Sequence, residues 1–230
     1  MEIEKRWRSV YQRIVQAARR VDRDPNEVQV VTVTKYLDVE QTKEVLDLGL
    51  DHIGENRTKN ALAKWDSLGD RGVWHFIGRL QRRKVKDILN RFTYLHSLDR
   101  LSLAQEIEKR SSVLKAPLKC FIQVNVSGEA TKTGISPKEL KEFSIEVANL
   151  SSIEVVGLMT MAPKTDRPEE VRPIFQELRQ RQKELQKLNH PRLTVPHLSM
   201  GMSQDFEIAI EEGATWIRLG SVLVGERSSE

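Results

Sequence analysis

The sequence has little cysteine and no long apolar run. Cys120 is its only cysteine, which excludes an intrachain disulfide and a cysteine cluster holding zinc or iron–sulfur. The longest mostly apolar run, Val155 to Ala162, is far shorter than the ~20 residues that a membrane span needs. The start, MEIEKRWRSV, has no apolar segment of the kind that marks a secretory signal. These absences predict a reduced, cytoplasmic protein without a membrane segment.

The excess of positive over negative charge is also small, because the sequence has 37 basic and 33 acidic residues and a net charge of only +4. A dedicated nucleic-acid binder usually carries a larger and more clustered excess. No histidine lies at ligand spacing from another histidine or from a carboxylate, and no glycine-rich nucleotide-binding string follows a strand. We therefore expect no metal site, and nucleic acid is not the expected partner.

The hydrophobic pattern alternates between strand-like and helix-like segments after one N-terminal helix. Strict alternation favours a parallel sheet, and eight such units in 230 residues fit a small (β/α)8 barrel. A doubly wound open sheet would give the same alternation. We predict one α/β barrel domain over residues 1–230, and a longest helix at about 166–188 with a capping box of Asp166 and Glu169. The predicted strands are 28–36, 52–54, 73–78, 92–98, 118–126, 153–161, 197–199 and 215–221.

Functional groups of a (β/α)8 barrel gather where the strands end. Lys35 follows the apolar run VVTVT, so its amine is expected over the barrel mouth. A desolvated lysine there has a lowered pKa and suits covalent chemistry with a carbonyl group, whereas a strand-end lysine can also reach solvent without any function. Arg218, on the last strand, needs either a carboxylate or a ligand as its partner.

Two turns with glycine and serine follow the last two strands, which is the usual phosphate site of such barrels. Ser199, Gly201 and Ser203 lie in the first turn, and Gly220 with Ser221 lies in the second. Free backbone N–H groups at these turns would attract an anion. Ser203 could instead be an ordinary helix N-cap.

Seven strings resemble the pyridoxal 5′-phosphate (PLP) homeostasis protein family in the family's order: VTVTKY, GENR, WHFIGRLQ, QVNVSGEATKTG, GLMTMAP, LSMGMSQDF and IRLGSVLVGER. The resemblance implies a fold-type III PLP barrel like the N-terminal domain of alanine racemase, without the additional C-terminal β domain. One departure is Arg83, where the family often has asparagine. That exchange leaves the role of its loop open.

The resemblance also implies roles for individual residues. Lys35 would hold PLP as an internal aldimine, and Arg218 would face the pyridine nitrogen. The phosphate would be bound by Ser199, Gly201, Gly220 and Ser221. The pocket around the ring would be lined by Asn56, His75, Asn125, Met159, Met200 and Met202. The implied function is PLP (vitamin B6) and amino-acid homeostasis by a protein that buffers or delivers the cofactor, with amino acids or PLP-dependent apoenzymes as partners and without robust catalysis. The small size of the chain and the lack of an evident exposed apolar helix face predict a monomer.

Two alternatives remain at this point. A low-activity PLP-dependent racemase or lyase would need a second base, usually a tyrosine. Tyr36 adjoins Lys35, but neighbouring residues of a strand point to opposite faces. A binding or regulatory protein could instead use the basic segment 79–91, which holds Arg79, Arg82, Arg83, Lys84, Lys86 and Arg91.

Overall fold

The computed structural model describes residues 2–129 and 133–225 and contains a closed parallel barrel of eight strands in sequential order. The barrel closes where β1 pairs in parallel with β8, from Gln29 opposite Trp216 to Thr32 opposite Leu219. This closure confirms the predicted barrel and excludes the doubly wound open sheet. The strands are β1 Gln29–Val33, β2 His52–Glu55, β3 Val73–Phe76, β4 Tyr94–Leu98, β5 Leu118–Gln123, β6 Ile153–Met159, β7 His197–Ser199 and β8 Trp216–Leu219.

Helices surround the barrel, and the predicted extra helix precedes it. The α-helices are α1 Glu2–Arg19, α2 Val39–Asp47, α3 Thr58–Leu68, α4 Val85–Ile88, α5 Leu101–Lys109, α6 Leu140–Ala148, α7 Arg172–Gln186, α8 Phe206–Glu211 and α9 Ser221–Val224. None of these described helices is long and apolar enough to cross a membrane.

The prediction for the segment 166–188 is wrong in two respects. A 3₁₀ turn over Pro168–Val171 precedes α7, so the 18-residue α1 and not this segment is the longest described helix. Pro173 explains the late start, because a proline deep inside a helix loses a hydrogen bond and clashes with the preceding turn. The predicted capping box is absent as well, since Glu169 forms an ion pair with Arg172 instead.

A capping box does occur at the start of α2. The Asp38 carboxylate accepts a hydrogen bond from the Gln41 backbone N–H at 2.8 Å, and the Gln41 side chain accepts one from the Asp38 N–H at 3.1 Å. Both residues satisfy donors that the helix itself leaves unpaired. This box fixes the chain immediately after the turn that carries Lys35.

The apolar core has two parts. The larger part lies between the barrel and its helices, and a small cluster of Val31, Phe121, Val156, Met159 and Trp216 fills the barrel itself. Because this cluster packs the barrel interior, we look for a ligand site beyond the carboxyl ends of the strands. Residues 130–132 of the QVNVSGEATKTG string and the end of the IRLGSVLVGER string lie outside the described residues.

Candidate functional site

A cavity of about 690 Å³ opens at the carboxyl ends of the strands. Its volume lies within the range of small-molecule sites. Of the strand-end residues that the sequence singles out, the wall contains Lys35, Asn56, Met202, Ser203, Arg218, Gly220 and Ser221. The chain therefore brings the predicted lysine, the predicted arginine and the turn after β8 to one cavity.

Lys35 lies in the turn after β1, half-buried, with its Nζ 4.7 Å from the centre of the Tyr36 ring. No hydrogen bond or ion pair holds this amine among the described residues, so it is available to a ligand. The expectation that Tyr36 points away is wrong. Because β1 ends at Val33, Lys35 and Tyr36 do not alternate as strand residues do, and both line the cavity.

The turns after β7 and β8 are joined by Ser203. Its Oγ accepts hydrogen bonds from the backbone N–H groups of Gly220 at 3.2 Å and Val222 at 3.4 Å. Ser203 is therefore not the N-cap of α8, which begins after Asp205. The backbone N–H groups of Ser203, Gln204 and Ser221 donate to no acceptor among the described residues. Such unpaired donors at two adjoining turns can hold an anion.

Arg218 reaches the cavity from the barrel interior and is only 4% exposed. It donates to Ser199 Oγ at 2.5 Å and to the Thr160 carbonyl at 2.9 Å. Burial lowers the pKa of its guanidinium to about 10, and the Asp205 carboxylate opposes that shift. Arg218 is still charged at neutral pH, so it presents a cation to the cavity.

Ser199 and His75 lie below the cavity and do not line it. Ser199 is fully buried and its hydroxyl lies 2.8 Å from His96 Nδ1 in addition to its bond from Arg218. His75 is fully buried between His52 and His96. The position of Ser199 at the end of β7 could be read from the sequence, but its enclosure inside the barrel by His96 of β4 and Arg218 of β8 could not.

The other sequence-predicted residues also lie away from the wall. Met159 is part of the apolar cluster inside the barrel, and Met200 is buried in the core between the barrel and its helices. Gly201, at φ +94°, forms the turn after β7 behind the cavity. The Asn125 side chain donates to the Glu129 carbonyl at 3.0 Å. Direct contact of these residues, or of Ser199 and His75, with a ligand stays a prediction.

Sequence reasoning missed several polar residues of the cavity wall, of which three shape the site most clearly. Gln123 ends β5 and donates to the Thr133 carbonyl and hydroxyl, both at 3.0 Å. Asp205 accepts the Met202 N–H at 2.5 Å and so shapes the turn after β7 that carries the Ser203 and Gln204 N–H groups, which we call the anion turn. Arg79 was considered only as part of the basic segment. The position of Gln123 at a strand end was the available signal, as it was for Lys35.

The basic segment 79–91 is locally compensated. Arg79 lies 3.7 Å from Asp99, Arg82 lies 3.8 Å from Glu106, and Lys84 lies 3.1 Å from Asp87. Arg91 packs over the Trp65 ring at 5.3 Å. Because acidic partners and a ring engage most of these cations, the segment does not form a free phosphate-binding stripe.

The fold and cavity define an α/β barrel with a ligand site at the carboxyl ends of its strands. The chain belongs to the alanine racemase N-terminal domain family, whose model matches residues 9–228, and within it to the pyridoxal phosphate homeostasis proteins. The pyridoxal phosphate homeostasis protein of Aquifex aeolicus is 44% identical over 219 residues, which cover 95% of each chain. The resemblance that the sequence strings suggested is thereby confirmed.

Two solved structures place the fold. PipY from Synechococcus elongatus PCC7942, in a structure with PLP bound, has a TM-score of 0.80 at 32% identity, over 92% of this chain and 100% of that one. Alanine racemase of Clostridium difficile 630 has a TM-score of 0.73 at 15% identity, over 100% of this chain and 58% of the racemase. At that identity the racemase likeness concerns the fold alone.

Proposed function

We propose that this protein binds PLP in the cavity at the strand ends and takes part in PLP and amino-acid homeostasis. The observation that carries the proposal is that one cavity joins an unpaired lysine amine, a buried arginine and unpaired backbone N–H groups. The PLP-bound PipY structure and the names of the relatives support the same ligand.

The residues present fit the chemical groups of PLP. The N–H groups of Ser203, Gln204 and Ser221 suit its phosphate, since turns with free donors bind phosphate. Lys35 and Lys164 both bring a primary amine to the wall without a hydrogen bond or ion pair from a described residue. Lys35 is half-buried in the turn after β1 whereas Lys164 is exposed, and we assign Lys35 as the point of covalent attachment. When bound, PLP supplies an aldehyde that condenses with amines and a ring that withdraws electrons.

Arg218 supports a carrier with weak catalysis. A guanidinium donates hydrogen bonds and accepts none, so Arg218 would donate to the ring nitrogen and leave it without a proton. The electron-withdrawing power of the ring is then reduced. We therefore assign binding, storage and delivery of the cofactor, by a monomer in the cytoplasm, ahead of robust turnover. The single buried thiol, Cys120, suits a reducing compartment.

Reduction with borohydride tests the attachment residue. Incubation with PLP should give an absorbance band near the visible edge, and reduction followed by peptide mass analysis should place the adduct on Lys35. Lys164 is a matched control, because it also lines the cavity. Lys35→Ala should abolish the adduct and Lys164→Ala should retain it. An adduct on Lys164, or no band with the wild type, would contradict the proposal.

A low-activity racemase or lyase is the second candidate, because Tyr36 places a phenol on the cavity wall. Lys35 and Tyr36 leave the same turn, whereas racemisation needs bases on opposite faces of the substrate. Sustained conversion of one amino acid, lost in Lys35→Ala and in Tyr36→Phe, would favour this candidate. Transfer of PLP to an apoenzyme without amino-acid conversion would favour the carrier.

A further inference from the structure

Four hydrogen bonds form one line through the barrel, from its lower end to the cavity. His52 Nδ1 lies 3.0 Å from His75 Nε2, and His75 Nδ1 lies 2.9 Å from His96 Nε2. His96 Nδ1 lies 2.8 Å from Ser199 Oγ, which also accepts from Arg218 Nη1 at 2.5 Å. We call this line the histidine chain. Its members come from β2, β3, β4, β7 and β8, so only the closed barrel assembles it.

Arg218 needs this chain because no carboxylate in the described part of the protein hydrogen-bonds to it. Its remaining bond goes to the Thr160 carbonyl, and Asp205 acts on it only through the electrostatic field. A buried cation without a paired anion is costly unless oriented dipoles stabilise it. The histidine chain supplies the dipoles that contact the Nη1 side of the Arg218 guanidinium.

The chemistry of the donors sets the direction of the chain. Arg218 can only donate, so Ser199 Oγ accepts from it. The Ser199 proton then has one acceptor among the described contacts, His96 Nδ1. His96 therefore carries its proton on Nε2 and donates to His75, and His75 does the same to His52. In the opposite direction the buried Ser199 proton would have no acceptor, which is unfavourable.

Burial and packing support three neutral rings in fixed orientations. Burial lowers the pKa of His75 and His96 well below the ordinary value, and burial also lowers the pKa of His52. The His75 ring stacks on Tyr94 with centroids 4.5 Å apart, and the His96 ring stacks on Phe121 at 4.3 Å. Stacking fixes each ring plane, so the nitrogens stay aimed along the chain.

We propose that His52, His75 and His96, through Ser199, form a single directional hydrogen-bonded chain that positions the Arg218 guanidinium at the cavity. His96 and Ser199 are then positioning residues that need not touch a ligand. The direction of the chain is independent of the proposed function, whereas its effect on ligand binding rests on PLP as the ligand.

Nitrogen NMR of the ligand-free, full-length protein tests the direction. With ¹⁵N-histidine, His52, His75 and His96 should each show the neutral form protonated on Nε2, and N–N couplings should appear across both imidazole–imidazole hydrogen bonds. This test of the hydrogen-bond direction needs only the wild-type protein. A proton on Nδ1 of His96, or absent couplings, would overturn the proposal.

Ser199→Ala tests whether the chain acts as one unit. Loss of the hydroxyl should change the nitrogen shifts of His96, His75 and also His52 at the far end. Thr215→Val is the control, because the Thr215 hydroxyl lies 3.3 Å from His197 Nδ1 and accepts the Leu198 N–H at 3.0 Å, so it contacts β7 but is not part of the histidine chain. Among the histidine signals it should change that of His197 and leave those of His52, His75 and His96 unchanged. Unchanged His52 and His75 signals in Ser199→Ala would overturn the proposal.

Two readouts test the positioning of Arg218. In ¹⁵N-arginine spectra without ligand, the separate Nη signals expected of a held guanidinium should merge in Ser199→Ala and His96→Leu. The dissociation constant for PLP should rise about tenfold in both variants and stay unchanged in Thr215→Val. Unmerged signals, or unchanged PLP affinity beside a wild type that binds, would refute positioning. A wild type that binds no PLP would refute the proposed function and leave the spectra to decide the chain.

Discussion

Gly201 in the turn after β7 offers a test of the anion turn by the addition of one methyl group. Its φ is +94°, and a Cβ there would lie 2.6 Å from the Ala209 Cβ and 3.0 Å from the Phe206 Cα. Backbone of α8 cannot yield as a flexible side chain can. Gly201→Ala therefore combines an unfavourable backbone conformation with a steric clash, and the turn that offers the Ser203 and Gln204 N–H groups must shift.

Gly49→Ala separates the two contributions. Gly49 also has a positive φ, +77°, but a Cβ there would meet nothing within 4 Å. The backbone contribution alone should cost about 1 kcal/mol of unfolding free energy in Gly49→Ala. The clash should add about 1–3 kcal/mol in Gly201→Ala. Urea unfolding of both variants, followed by circular dichroism, measures the difference.

The effect on binding distinguishes the anion turn from a purely structural turn. Displacement of one N–H donor from the phosphate should weaken PLP binding at least about tenfold in Gly201→Ala, whereas Gly49→Ala should bind as the wild type does. Titration of PLP at a temperature where both variants are folded measures this. Equal losses of stability in the two variants would refute the clash. A destabilised Gly201→Ala that binds PLP normally would refute the anion turn.

Three further outcomes follow from buried and hydrogen-bonded groups. Lys64→Met should destabilise the fold by about 3–5 kcal/mol, because it leaves the buried Glu55 carboxylate without the Lys64 ammonium that lies 2.6 Å away. A double variant with Glu55→Gln added should recover part of this loss in unfolding free energy. No recovery would contradict the reasoning. Glu108→Gln should lower stability at pH 7. Hydrogen bonds from Ser152 first, then Ser151, lower the pKa of Glu108 to about 2, so its stabilisation is present above its ordinary pKa of 4.5 and is lost as the pH falls from 4.5 through 2. The variant and the wild type should therefore converge in unfolding free energy near pH 2, and a constant difference would argue against this. Burial raises the pKa of Cys120 and encloses its thiol, so a thiol reagent should react only after unfolding, and rapid reaction of the native protein would contradict the burial.

The alternation of strands and helices, and with it the barrel, follows from the hydrophobic pattern alone. A parallel strand that is buried on both faces has a nearly continuous apolar sequence, and the helix after it has apolar residues every three to four positions. Eight repeats of this pattern therefore predict eight strand–helix units. Lys35, Gly220 and Ser221 could be placed at the cavity because each lies within two residues of a strand end, and strand ends meet at one face of a barrel.

Two predictions that assumed regular strand or helix periodicity were wrong because of the local geometry of the backbone. Tyr36 faces the cavity because β1 stops at Val33 and the next residues form a turn, which the β-rich run through Tyr36 concealed. The segment 166–188 begins its α-helix only at Arg172, because the position of Pro173 relative to the helix start decides where the helix can begin.

Which polar residues meet depends on how the barrel closes. The sequence gives no sign that His96 of β4, Ser199 of β7 and Arg218 of β8 share one hydrogen-bonded line, since their strands are distant in the chain. Ser203 likewise joins the turns after β7 and β8 by hydrogen bonds that are not local. Closure of the barrel turns strand-end positions into inward-facing neighbours, so the partner of each side chain is set by register across the barrel and not by spacing along the sequence.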